Sequence, residues 1–175
     1  NVFVGPPLVE SFMKYYHFDR EKAKKSVGIY REYFEEKGMF ENAVYPGIPE
    51  LLAGLKKDGY KLYVATSKPE PYSVKIIGHF GLAEYFEMVG GADMNETRVH
   101  KGDVIRYVME SCNLTNPDEI VMIGDRENDM NGAKQNGIES VGVLYGYGSR
   151  EELENAGACH IANDVQELGR VLRTL

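Results

Sequence analysis

The chain has 175 residues, 43% of them hydrophobic, with 20 Lys+Arg against 27 Asp+Glu and a net charge of −7. That describes one ordinary globular domain, or a domain with a small appendage, and makes collagen, coiled coil and a disordered chain poor fits. There is no basic surplus to drive counterion release onto nucleic acid, and no apolar run approaches the roughly 20 residues of a membrane span.

In chain order, residues 1–44 read as helical. Gly5, Pro6 and Pro7 lead into a first turn, and Leu8, Phe12 and Tyr16 recur at helical spacing. Asp19 is placed to cap a second helix, whose Ala23, Val27, Tyr30 and Phe34 share one face and which ends near Gly38. Tyr45-Pro46-Gly47 breaks the pattern. Ile48, Leu51, Leu52 and Leu55 then form a short apolar stripe closed by Gly59. Beyond it, strands are expected at 61–66, 86–90, 119–124, 139–144 and 159–162. Helices are expected between and after them at 70–80, 102–112, 127–136, 150–156 and 164–174. Such alternation implies right-handed crossovers and a mainly parallel sheet covered by helices on both faces. Ligands bind such sheets outside the carboxyl ends of the strands, so the residues just past each strand carry the search.

The first strand delivers Thr66-Ser67-Lys68 ahead of Pro69 and a helix. Hydroxyls and N–H groups at such a turn suit an oxyanion, although Ser and Thr there also serve as caps. The strand at 119–124 runs into Gly124-Asp125-Arg126-Glu127-Asn128-Asp129. Asp125 leaves the strand end and Asp129 sits on the first turn of the next helix, so both carboxylates can face one point. Paired carboxylates with room for water suit Mg²⁺; the plainer reading is two caps on a positive helix end. Lys101 gains meaning only if it faces the same pocket, since a lone lysine before a helix is ordinarily at the surface, as is His100 beside it. Gly90-Gly91 reads as a turn at a strand end. No GxGxxG follows a strand, and neither GxxxxGK[ST] nor GxSxG occurs. Cys112 and Cys159 cannot form a disulfide framework, and neither they nor His17, His79, His100 and His160 have zinc-ligand spacing. Reduced thiols fit a cytoplasmic protein. The chain opens on Asn1 with no signal-like start, so it reads as a piece whose encoded N-terminus lies elsewhere.

A hydroxyl at a strand end, then a lysine, then GDxxxD, in that order, resembles the haloacid dehalogenase superfamily of phosphohydrolases, in its phosphoglycolate phosphatase-like branch with a helical cap. The resemblance covers nearly the whole chain. Gly5-Pro6-Pro7-Leu8 is similar to the cap segment facing the active site, and Tyr45-Pro46-Gly47 to the return from cap to core. Val64-Ala65-Thr66-Ser67-Lys68 resembles the second motif and Lys101 the third. Gly124 to Asp129, continued by Gly132-Ala133-Lys134-Gln135-Asn136-Gly137, resembles the fourth; Gly146-Tyr147-Gly148 with Glu151-Glu152-Leu153 is also typical of the branch. Gly102 stands where many relatives have proline, a change expected to be harmless. The family's first motif, Asp-x-Asp-x-Thr/Val, occurs nowhere in these residues and is expected before Asn1.

The resemblance implies a partial helical cap over residues 1–44 and a Rossmann-like α/β core over 45–175 that lacks its first strand. It implies Mg²⁺-dependent hydrolysis of a small-molecule phosphate ester through an aspartyl-phosphate, with no nucleic-acid or membrane partner. Asp125, with Asp129, would serve the metal, and Thr66, Lys101 and Asp129 the chemistry. Thr66, Ser67, Lys101, Gly5 and Pro6 would hold the substrate or its phosphate. A sugar-phosphate mutase would share every core residue. A metal-free dehalogenase would have no use for the acidic pair. A catalytically incomplete phosphate- or partner-binding domain would lack the nucleophile by nature.

Overall fold

The computed structural model describes residues 7–95 and 97–175. Gly5 and Pro6, expected at the substrate, lie outside the described residues.

Two helices, α1 (Leu8–Tyr16) and α2 (Arg20–Glu36), open the described chain. Asp19 starts α2 as expected, its Oδ1 accepting the Lys22 N–H at 2.8 Å. Ala23, Val27 and Phe34 are buried, but Tyr30 is 40% exposed and flanks the stripe. Phe34, Met39 and Tyr72, with Ile76 against them, form a buried cluster that fastens α2 to the helix after the first strand. The chain then turns at Gly47, whose φ of 86° is left-handed, into α3 (Ile48–Lys57).

The rest alternates: β1 (Leu62–Pro69), α4 (Glu70–His79), β2 (Phe86–Ala92), α5 (Lys101–Ser111), β3 (Val121–Gly124), α6 (Glu127–Gln135), β4 (Glu139–Val143), α7 (Arg150–Asn155), β5 (His160–Ala162) and α8 (Val165–Leu172). Every strand pair is parallel, and helices flank the strands, as the alternation requires. The ladder is divided, however. Among the described residues β1 pairs with β2, and β3-β4-β5 form a second sheet. Side chains link the halves: Ala65 of β1 and Met122 of β3 both pack on the cluster of Ile105, Ala133 and Ile138. The larger core of Leu55, Val141, Val143, Ala162, Leu168 and Leu172 lies between α3, the second sheet and α8.

Three local expectations change. β1 continues through Thr66-Ser67-Lys68 to Pro69, so these residues belong to the strand rather than to the loop beyond it. Gly90-Gly91 is no turn; both glycines are buried inside β2, opposite Ala65 and Thr66. A Cβ there would meet Val108 Cγ2 at 2.3 Å and Glu70 Cα at 2.6 Å, so their bareness lets α5 and α4 press onto the strand. Finally, β3 begins at Val121, because Pro117–Glu119 form a 3₁₀ turn. Among the described residues no helix is long and apolar enough to cross a membrane.

Candidate active site

A cavity of about 560 Å³ opens at the carboxyl ends of β1 and β3, with α2 along its other side. It brings together Thr66, Ser67, Lys101, Asp125 and Asp129, residues that stand up to 63 positions apart between Thr66 and Asp129.

The β3 end is rigidly made. Asp129 Oδ2 accepts the backbone N–H groups of Asp125 at 3.0 Å and Arg126 at 3.1 Å, so its carboxylate folds the turn that presents Asp125. The approach is too close for any side chain at Gly124, where a Cβ would lie 2.2 Å from Asp129 Cβ. The plainer capping role therefore holds for Asp129. Its other oxygen, Oδ1, meets Lys101 Nζ at 2.8 Å.

Lys101 is not the surface lysine its position suggests. It is the first residue of α5, its side chain is 12% exposed, and Nζ also donates to the Ala65 carbonyl at 2.8 Å. One ammonium thus ties the β1 edge to the turn after β3, bridging the divided sheet. His100, by contrast, keeps a side chain 61% exposed, 3.8 Å from Glu10.

Asp125 is oriented by a loop that sequence reasoning marked without a role. Asp125 Oδ2 accepts the Tyr147 N–H at 2.8 Å, and a Cβ on Gly146 would come within 2.3 Å of Asp125 Cβ. Behind it, Arg126 Nε and the Glu127 N–H both donate to Glu152 Oε1, at 2.8 and 3.0 Å. Burial pushes the Glu152 carboxyl up, but the Arg126 hydrogen bond and the Glu127 N–H outweigh it and leave its pKa below the usual range. Tyr145 is pushed up to about 12, first by burial and then by the Asp125 charge and Tyr45. No spacing rule could have joined Arg126 to Glu152, because only the fold of β4 and α7 makes them neighbours.

At the β1 end the groups are free to bind. Thr66 Oγ1 accepts only the Lys68 N–H, at 3.2 Å, and the Ser67 hydroxyl has no hydrogen bond among the described residues. The loop after β2 is held over this end by Arg98, whose Nε donates to the Gly91 carbonyl at 3.0 Å and whose Nη2 meets Glu70 Oε2 at 3.4 Å. Asp93 closes that loop on Thr97 and Arg98, and its pKa is lowered chiefly by the Thr97 hydroxyl.

No three acidic, histidine or cysteine side chains among the described residues converge as a metal cage. Both oxygens of Asp129 are engaged within the protein. Asp125 lines the cavity, and among the described residues only its Oδ2 accepts a hydrogen bond, which leaves Oδ1 as a hard oxygen without a protein donor. That fits an ion such as Mg²⁺, which keeps several waters and takes only one or two carboxylates together with substrate phosphate. A cation position, a buried ammonium and open hydroxyls on one cleft suit positioning and charge neutralisation of a phosphoryl group.

The model of a haloacid dehalogenase-like hydrolase family matches residues 1–143. A 5'-nucleotidase of Pseudomonas aeruginosa is 42% identical over 172 residues, 98% of this chain and 77% of that protein. The tyrosine-protein kinase PtkA of Mycobacterium tuberculosis is 34% identical over 97% of this chain, which spans 58% of its length. A phosphoglycolate phosphatase of Vibrio vulnificus is 25% identical over 96% of this chain and 73% of its own. Among solved structures, a predicted phosphatase from Clostridium acetobutylicum superposes with a TM-score of 0.96 at 53% identity, over 99% of this chain and 80% of that one.

Proposed function

Because the chain belongs to the haloacid dehalogenase-like hydrolase family, we propose that it supplies most of a phosphatase that hydrolyses a small-molecule phosphomonoester with Mg²⁺. The observation that carries this reading is the convergence of Thr66, Lys101 and Asp125 on one cleft, with Lys101 and Asp125 both oriented by Asp129. In the same reading an upstream Asp-x-Asp segment brings the nucleophile and a strand between β1 and β3, whose facing edges share no ladder. The helices α1 and α2 act as part of a cap.

Each residue then has a physical task. Lys101 neutralises one phosphoryl oxygen, and its bond to Asp129 keeps it extended toward the cleft. The Thr66 hydroxyl and the Ser67 N–H donate to a second oxygen. Asp125 offers Oδ1 to the metal, which when bound offsets charge between carboxylate and phosphate so that two anions can approach. Asp129 and Tyr147 act through the groups they orient. The test is phosphate release by the full-length protein with and without Mg²⁺ on a panel of phosphomonoesters. No release from any of them refutes the reading, and isomerisation of a sugar phosphate in its place assigns a mutase.

A further inference from the structure

The turn after β3 is held from two sides, and one of the holders comes from far along the chain. Three consecutive backbone N–H groups of this turn end on carboxylates. Those of Asp125 and Arg126 meet Asp129 Oδ2 at 3.0 and 3.1 Å, and that of Glu127 meets Glu152 Oε1 at 3.0 Å. The same Glu152 oxygen also accepts from Arg126 Nε at 2.8 Å. Asp129 belongs to the helix that the turn opens, so its bonds are what a helix start requires. Glu152 stands 25 residues beyond Glu127, in α7, where no capping rule calls for it. Its neighbours Glu151 and Glu154 are exposed, whereas the Glu152 side chain is 24% exposed and its Arg126 partner 16%. The helix behind it is fixed. Leu153 is fully buried, and its Cδ1 would meet a Cβ on Gly142 of β4 at 3.0 Å. Ser149 Oγ accepts the Glu152 N–H at 3.1 Å, and a Cβ on Gly148 would lie 2.1 Å from the Asp125 carbonyl oxygen.

Resting on the Mg²⁺ reading above, we propose that Glu152 is a positioning residue for the metal: through Arg126 and the Glu127 N–H it fixes the turn that aims Asp125, and so sets the affinity for Mg²⁺. Mg²⁺ demands near-octahedral geometry with oxygens at roughly 2.1 Å, so a carboxylate free to wander binds it poorly. Asp125 Oδ2 has one donor, the Tyr147 N–H, and Oδ1 has none among the described residues. The direction of that side chain therefore follows from the backbone beneath it, and Glu152 holds the far end of that backbone against a helix anchored on β4. One acceptor oxygen serving two donors does the fixing, so the place of the oxygen matters more than the charge it carries. Loss of such an outer partner of a metal ligand ordinarily weakens metal binding by about 10- to 100-fold.

The experiment titrates the full-length protein calorimetrically with Mg²⁺ in the absence of substrate, and separately follows phosphate release against Mg²⁺ concentration. Glu152→Ala should weaken Mg²⁺ binding about tenfold or more and raise the Mg²⁺ needed for half-maximal release by the same factor. At saturating Mg²⁺ its turnover should return to within about threefold of wild type, since the ligand itself is still present. Glu152→Asp keeps the charge but withdraws the oxygen by one methylene, and should weaken Mg²⁺ binding about fivefold or more even if Glu152→Ala does not fold. Glu152→Gln keeps an acceptor for both donors and should bind Mg²⁺ within about threefold of wild type. Glu154→Ala, which removes a carboxylate of the same helix paired with Arg150 at 3.2 Å, should leave Mg²⁺ binding unchanged. A clamp that serves stability alone would lower the melting temperature of the Glu152 variants and leave their Mg²⁺ affinity as in wild type, which overturns the proposal. Glu152→Gln as weak as Glu152→Ala, with Glu152→Asp normal, would assign the effect to charge and overturn it too. No Mg²⁺ binding to the wild-type protein, or full phosphate release without Mg²⁺, refutes instead the metal reading on which the proposal rests.

Discussion

At the end of β3, Asp129 has both oxygens engaged, Asp125 is held by the Tyr147 N–H, and Arg126 is clamped by Glu152. At the end of β1, the Ser67 hydroxyl makes no hydrogen bond among the described residues, and Lys68 rests on a ring rather than a carboxylate. One side of the cleft is thus assembled before any ligand arrives, and the other is left with groups for a ligand to satisfy. Preorganised charge is most effective where it need not move during reaction, while open donors suit recognition. The two strand ends should therefore respond differently to mutation: structure and turnover together at β3, binding alone at β1.

The largest effect is expected at Asp125. Asp125→Asn in the full-length protein should leave less than about a tenth of the Mg²⁺-dependent rate at saturating metal, because it removes the anionic oxygen offered to the cation; more residual activity than that withdraws the metal role. Lys101→Ala should lower turnover by roughly 10²–10³. It should also cost stability, against the sequence-based view of an exposed loop cation. Losing one partner of an ion pair with side chains 12% and 8% exposed costs about 3–5 kcal/mol. A melting temperature within a degree of wild type would show that the pair is not structurally engaged. The double variant Lys101→Met/Asp129→Asn should regain part of that stability, because the amide oxygen can still accept the two N–H groups of the turn and no unpaired charge is left buried, and none of the activity.

Smaller effects sharpen the same contrast. Gly146→Ala would drive a methyl to within 2.3 Å of Asp125 Cβ and should cut turnover about tenfold by moving that carboxylate, whereas a Cβ at Gly78 meets nothing within 4 Å. Gly78→Ala should accordingly be neutral or stabilising by up to about 1 kcal/mol. At β1, Thr66→Val should raise KM by roughly tenfold with no change in thermal midpoint, as loss of a single donor to a charged group predicts; a drop in midpoint would mean that this end is structural too. The mildest test is acid. The folded Glu152 pKa lies below its ordinary value of 4.5, so its contribution is full above that pH and is lost as pH falls through the folded value. Glu152→Gln should flatten the stability profile below about pH 4.5 relative to wild type.

Much of the molecule was legible in sequence because its signals are local. Asp19 capping, the α2 stripe apart from Tyr30, and the strand-Gly-Asp run each depend on residues a few positions apart, and the structure keeps them. The failures share a cause. Gly90-Gly91 looked like a turn because glycine usually marks one, yet these two serve the approach of α4 and α5, elements up to about 20 residues away. Lys101 looked exposed because its partners, the Ala65 carbonyl and Asp129, come from different strands. The division of the sheet was likewise invisible, since periodicity reports that a strand exists and not which edge it pairs.

The most direct test compares residues 1–175 with the full-length protein, assaying Mg²⁺-dependent phosphate release and binding of inorganic phosphate to each. These residues include Asp125, Lys101, Thr66 and Ser67, the groups proposed to serve the cation and the phosphate, but no Asp-x-Asp pair occurs among them. Positioning without a nucleophile gives binding and no turnover. The expected result is phosphate release by the full-length protein alone, with phosphate binding retained by 1–175 and weakened in its Lys101→Ala variant. Release by purified 1–175 that disappears in Asp125→Asn would contradict the account, because the nucleophile would then lie within this chain.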